Sequence, residues 1–187
     1  MKIRHLEIEG LLLIESDVFA DNRGYFIELF NEKIFSGLNL PDKFCQDNLS
    51  VNKKNVIRGL HFQEKPFAQG KLVRVIKGAV LDVAVDLRED SPSFGKHFSV
   101  LLSEANNFML WIPPGFAHGF AVIEDQTVFH YKCTAYYNKS AESGIRYDDA
   151  DLSINWNTSD PIVSEKDKEL ITFADYKRRA GISSSIV

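Results

Sequence analysis

Short runs of alternating apolar and polar residues fill most of this chain. Over residues 25–30, Phe26, Glu28 and Phe30 fall on one side while Tyr25, Ile27 and Leu29 fall on the other, which is the two-residue period of an extended strand. Residues 71–76 and 80–87 read as two further strands, and the glycine in Lys77-Gly78-Ala79 between them suits a tight hairpin. In the second of these, Asp82, Ala84 and Asp86 share one face and Leu81, Val83, Val85 and Leu87 the other. Residues 126–137 place Tyr131, Cys133, Ala135 and Tyr137 together, opposite His130, Lys132, Thr134 and Tyr136. With residues 10–18, 98–102 and 107–112, and with turn signals at Asp21-Asn22-Arg23-Gly24 and at residues 92–95, about ten short strands are spaced in the manner of an all-β sandwich or barrel.

Helical signals are sparse. A short helix or turn is expected after Asn31, broken by Gly37 and Pro41. Residues 164–179 predict a C-terminal helix, with Ser164 as N-cap, acidic residues at its opening and Lys177, Arg178 and Arg179 near its end, as the helix dipole favours. Residues 181–187 are expected to fray. Pro113-Pro114-Gly115 predicts a rigid corner that presents His118 at its end.

Composition narrows the classes. The 187 residues, 44% hydrophobic and 12% aromatic, can bury one sizeable core, so residues 1–187 are read as a single domain. A net charge of -4 argues against a general nucleic-acid binder, which needs an excess of Lys and Arg. Cys45 and Cys133 lie far apart without neighbours at metal-ligand spacing and read as reduced core residues. No apolar run reaches the length of a signal peptide or a membrane span, so a cytoplasmic protein with no membrane partner is expected.

The chemistry concentrates in Arg58-Gly59-Leu60-His61-Phe62-Gln63 and Gln69-Gly70-Lys71, where polar groups interrupt strand-like apolar residues. They could line the wet outer face of a sheet. Alternatively they line a barrel interior made into a pocket, with Arg58 and Lys71 for an anion and His61 for proton transfer. Gln46-Asp47-Asn48 could be a plain turn, but given a pocket the amides of this cluster are read as meeting a base or sugar edge. Asp82 stays open between a cavity wall and a solvated face.

The order of strands and motifs resembles the cupin jelly roll. Within it, Arg58-Gly-Leu-His61-Phe-Gln63, Ala68-Gln-Gly-Lys71, Asp82-Val-Ala-Val-Asp86-Leu-Arg, Ile112-Pro-Pro-Gly-Phe-Ala-His118, Tyr131-Lys-Cys-Thr, Gly144-Ile-Arg-Tyr and Ser164-Glu-Lys-Asp167 are similar to the dTDP-4-dehydrorhamnose 3,5-epimerase family. The resemblance implies inversion of C3 and C5 of dTDP-4-dehydro-6-deoxy-D-glucose with no cofactor and no metal. It makes His61 the base, Asp167 its partner and Tyr131 the acid on the opposite face of the sugar. It puts Arg58, Lys71, His118, Gln46, Asp47, Asn48, Tyr137, Glu142 and Lys166 at the substrate. It also implies a homodimer in which Arg23, Phe26 and Glu28 complete the neighbour's site. Leu49 and Tyr147 stand where many members carry His and Trp.

Elementary chemistry points the same way. Epimerising beside a ketone needs a base for the α-proton, a cation or donor for the enolate oxygen, and an acid on the far side. The alternatives are a metal-dependent cupin, for which His61 lacks a second His and a nearby Glu, a sugar-binding cupin without activity, and a single-carbon epimerase or ketoisomerase on the same ketosugar.

Overall fold

The structure is a computed structural model that describes residues 1–182. Its strands, in chain order, are β1 (Lys2–His5), β2 (Leu12–Glu15), β3 (Val18–Asp21), β4 (Gly24–Ile27), β5 (Gln46–Asn52), β6 (Ile57–Gln63), β7 (Lys71–Lys77), β8 (Ala79–Asp86), β9 (His97–Ser103), β10 (Phe108–Ile112), β11 (Phe116–Val122), β12 (Thr127–Cys133) and β13 (Glu142–Gly144). Three short helices join them: α1 (Glu32–Gly37), α2 (Glu165–Lys168) and α3 (Phe173–Arg179). A six-stranded sheet runs β1-β2-β10-β7-β12-β5 and a five-stranded sheet runs β13-β6-β11-β8-β9, while β3 and β4 form a separate hairpin. The two larger sheets face each other, the jelly-roll arrangement expected of the pattern.

Period two explains which side chains meet. Val73 and Val75 of β7, Leu110 and Ile112 of β10, Val80 and Ala84 of β8, and Phe116 and Phe120 of β11 turn inward and bury one core between the sheets. The alternate residues of the five-stranded sheet, among them Val83, Val85, Ala117 and Ala121, are buried as well, beneath Leu152, Trp156 and Phe173 from the C-terminal third. That cover is why β8 is buried on both faces. On the far side of the six-stranded sheet, Leu72, Met109 and Trp111 pack against Phe35 of α1.

Several sequence expectations are corrected. Residues 71–87 are not a hairpin, because β7 and β8 belong to different sheets. The turn at Gly78 has φ +81° and leaves no room for a Cβ beside Thr127, so glycine serves a corner between layers. The strand expected over residues 10–18 reduces to β2, with β1 preceding it and β3 turning away, and the one over residues 25–30 ends at Ile27. His118 lies inside β11 rather than at a corner. The helix expected over residues 164–179 is two helices, interrupted where Ile171 bridges Ile145. Each keeps its own cap, Ser164 accepting from the Asp167 N–H and Thr172 from that of Asp175. Cys45 is exposed and only Cys133 is buried. The fraying expected over residues 181–187 concerns, from residue 183 on, positions outside the described residues.

Candidate active site

Strict alternation along β6 would send Arg58 and His61 to opposite faces. Against β11, however, His61 pairs with His118 and Arg58 with Phe120, a bulge that counts three steps on one strand against two on the other. Leu60 thereby joins the outer core, and Arg58 and His61 both turn between the sheets. The bulge depends on Gly59, whose φ is +116° and whose added Cβ would lie 2.6 Å from Gly119 Cα and 2.7 Å from the His118 carbonyl oxygen. Arg58 Nε donates to Asn52 Oδ1 on β5 at 2.8 Å.

His61 Nε2 lies 2.8 Å from Asp167 Oδ1, and Asp167 Oδ2 accepts from the Gly59 N–H at 3.2 Å. Ser164 caps α2 through the Asp167 N–H at 3.1 Å, so the helix start fixes the carboxylate that meets the imidazole. Burial raises the Asp167 pKa, but the His61 hydrogen bond and charge, helped by the Gly59 and Ser164 contacts, hold it below the usual carboxylate range. An ionised, buried Asp167 fixes the His61 tautomer and leaves the other ring nitrogen free to accept a proton.

Around His61 lies a cavity of about 110 Å³ lined by Gln46, Asn48, Phe62, Gln63, Gln69, Lys71, Tyr131, Cys133, Tyr137 and Glu142. Lys71 Nζ donates to the His61 carbonyl at 3.5 Å, and burial lowers the pKa of its ammonium. Burial, aided by the neighbouring Cys133, pushes the Tyr131 phenol up, so it stays protonated at neutral pH. The Cys133 thiol is pushed by burial to about 11, which leaves it neutral. Three groups of different chemistry thus face one small space: a carboxylate-paired imidazole, an ammonium and a phenol.

His118 is buried and does not line the cavity, its Nε2 lying at 2.9 and 3.1 Å from the two oxygens of fully buried Asp82. Burial lowers the His118 pKa, against the pull of Asp82. Asp82, left open by the sequence, is therefore an interior residue. Tyr137 Oη donates to Glu142 Oε2 at 2.8 Å, and Lys166 Nζ reaches the same oxygen at 2.6 Å. Gln46 and Asn48 turn inward, but Asp47 between them sits on the outer face of β5 and pairs with Lys132 at 2.9 Å. Arg23 pairs with Asp21 at the tip of the β3–β4 hairpin, Phe26 is 65% exposed, and Glu28 accepts from Asn31. None of these three lines the cavity of this chain. Among the described residues no three His, Cys, Asp or Glu side chains gather as a metal site, and no helix is long and apolar enough to cross a membrane.

The family model for dTDP-4-dehydrorhamnose 3,5-epimerase matches residues 5–175. The chain belongs to that family. It is 49% identical over 180 residues to the dTDP-4-dehydrorhamnose 3,5-epimerase of Escherichia coli, covering 95% of this chain and 97% of that one. The crystal structure of the enzyme of the same name from Elizabethkingia anophelis superposes with a TM-score of 0.89 at 46% identity, over 94% of this chain and 97% of that one. A 3,5-epimerase from Legionella pneumophila, solved in complex with dTDP-4-keto-L-rhamnose, gives 0.88 at 43% identity over 91% and 92% of the two chains. The fold is that of these epimerases.

For this member of the epimerase family, sequence reasoning placed Gln63 and Gln69 in the pocket stretch without a role of their own, read Cys133 only as a reduced core residue, and passed over Asn52. Gln63 shares a face of β6 with His61, and Cys133 shares a face of β12 with Tyr131, so the period of two contained the signal for both. Asn52 could be found only from the packing of the two sheets, since it meets Arg58 from one sheet to the other.

Proposed function

We propose that this chain inverts C3 and C5 of dTDP-4-dehydro-6-deoxy-D-glucose, giving dTDP-4-dehydro-L-rhamnose. The observation that carries the reading is the convergence of the His61–Asp167 pair, Lys71 and Tyr131 on one cavity. His61 removes the proton α to the C4 ketone, and the electrons move onto the ketone oxygen. Lys71 holds the resulting enolate charge. Tyr131 returns a proton to the opposite face of the same carbon, and solvent restores both residues. Asp167 stabilises the imidazolium that forms. Neither an electron acceptor nor a hydride carrier is needed, because no atom changes its oxidation state overall.

A cavity of about 110 Å³ is well below the roughly 300–1,000 Å³ of small-molecule sites, so a nucleotide sugar must extend past its mouth. Arg58, His118, Glu142 and Lys166 are assigned to that substrate, with Gln46, Asn48 and Tyr137. Arg23, Phe26 and Glu28 are assigned to the site of a second copy in a homodimer, supported by the exposure of Phe19, Tyr25 and Phe26 on the hairpin. Asp47 would serve only from the outer face of β5. The test is incubation with the dTDP-ketosugar in deuterated water. Deuterium at both C3 and C5, lost in His61→Ala, supports the reading; deuterium at one carbon makes the chain a single-carbon epimerase.

A further inference from the structure

Beyond the end of β12, between the backbone bonds of Thr134 to Gly70 and of Ala141 to Glu64, residues 135–140 lie outside any strand and carry Tyr137, which lines the cavity. A backbone stretch outside any ladder must satisfy its polar groups elsewhere. Here side-chain carboxamides satisfy four groups in succession. Gln69 Nε2 donates to the Ala135 carbonyl at 2.7 Å, Gln63 Nε2 to the Tyr136 carbonyl at 3.2 Å, Gln46 Oε1 accepts from the Tyr137 N–H at 2.8 Å, and Gln63 Oε1 from the Asn138 N–H at 2.6 Å. Only Gln63 uses both ends of its amide on this strap. Its nitrogen also donates to the Phe67 carbonyl at 2.6 Å, tying the β6–β7 loop to the same point.

We propose that Gln63 is a positioning residue for the reaction, holding the strap that places Tyr137 at the cavity mouth in a fixed relation to the base. Its place on β6 gives the reason. Gln63 follows His61 by two residues on the same face, so one rigid strand sets the base and, about 7 Å further along, the anchor of the strap. Gln63 is 7% exposed, and its loss would leave one N–H and two carbonyls without their side-chain partner. Because the strap carries Tyr137 and not His61, Lys71 or Tyr131, release of the anchor acts on substrate capture and leaves proton transfer in place. This role rests on the epimerase reading of the site.

The test compares wild type with Gln63→Leu, which keeps the side chain's bulk without its hydrogen bonds, and with Gln63→Glu, which keeps only the acceptor for the Asn138 N–H. Two readouts are used: steady-state kinetics on the dTDP-ketosugar, and trypsin cleavage after exposed Lys139 within the strap. Gln63→Leu is expected to raise KM roughly tenfold with kcat within about twofold, as the loss of three partly buried hydrogen bonds implies, and to speed cleavage at Lys139 by about tenfold or more. Gln63→Glu should fall between. Unchanged KM and cleavage, or a fall in kcat alone, would overturn the proposal. If Gln63→Leu does not fold, Gln69→Leu frees only the Ala135 carbonyl and should move both readouts in the same direction; no movement there overturns the strap as a device. A wild-type chain that leaves the ketosugar unchanged would sink the epimerase reading and this role in it, while cleavage rates would still decide whether Gln63 holds the strap.

Discussion

His118 stands directly across the β6–β11 ladder from His61, yet the two imidazoles answer to different carboxylates. His61 meets Asp167 and keeps a third of its side chain exposed, whereas His118 meets Asp82 and is almost entirely enclosed. One pair opens onto the cavity; the other is enclosed and lines none of it.

Loss of His61 should therefore stop chemistry without unfolding the chain. His61→Ala is expected to lower kcat by about 10²–10⁴ with a smaller loss of stability than His118→Ala, because the Gly59 N–H stays on Asp167 and water can enter the third-exposed site, measured by deuterium incorporation and calorimetry. His118→Ala should instead cost about 1–3 kcal/mol of stability, because it leaves a buried acceptor unpaired on Asp82. Denaturant unfolding of the two variants side by side checks the contrast, and equal stability losses would refute it.

The alkaline limb of the rate should belong to Lys71. Burial lowers its pKa from the ordinary lysine value of 10.5 and raises that of Tyr131 from 10.0. As pH rises, Lys71 accordingly loses its charge at a lower pH than an unburied lysine would, and Tyr131 keeps its proton to a higher pH than an unburied tyrosine would. A pH–kcat profile of wild type should fall below pH 10.5. Lys71→Arg, whose guanidinium stays charged, should remove that fall while lowering the plateau.

Acid stability should trace to Asp86. This fully buried carboxylate accepts from Arg88, Ser91 and Ser93. Burial opposes its ionisation, but those bonds prevail and bring it to about 2. A folded pKa below the unfolded one contributes stability that is complete above about pH 5 and lost as pH falls toward 2, on the order of 2 kcal/mol. Asp86→Asn should flatten the fall of the urea midpoint between pH 5 and 2, in proportion to what it removes at neutrality.

Gly59→Ala should be among the most damaging small substitutions. Both the positive φ and the close backbone atoms of His118 and Gly119 oppose a methyl group there, and backbone cannot swing aside as a side chain can. The cost should be of the order of 1–3 kcal/mol or more, with activity falling further than stability because Arg58 and His61 lose their common face.

The strands were legible in the sequence wherever alternation ran unbroken, as over residues 80–87, but the strand expected over residues 126–137 ends at Cys133, so Tyr131 faces the cavity by alternation whereas Tyr137 reaches it from the irregular segment beyond. Alternation fails where the backbone departs from it. The bulge at Gly59 and Leu60 is invisible to a count of two, and the corner at Gly78 looks locally like a hairpin, because a glycine turn does not say which sheet the next strand joins. The faces of Gln46-Asp47-Asn48 follow from period two, but reading them as one polar cluster hid that Asp47 points away. Asp82 was ambiguous because both faces of β8 are covered, and only the packing of Trp156 and Phe173 decides that.

Asp167 reaches His61 from 106 residues further along the chain, on a helix belonging to the segment that covers the outer face of the five-stranded sheet. Order of synthesis thus becomes part of the chemistry. A nascent barrel that has already closed around His61 and Lys71 lacks the partner of its base, and the sheet beneath Trp156 and Phe173 is still bare. A chain lacking that C-terminal segment would have no carboxylate on its base and would leave apolar surface bare, so competence and the cover of the sheet depend on the same segment docking.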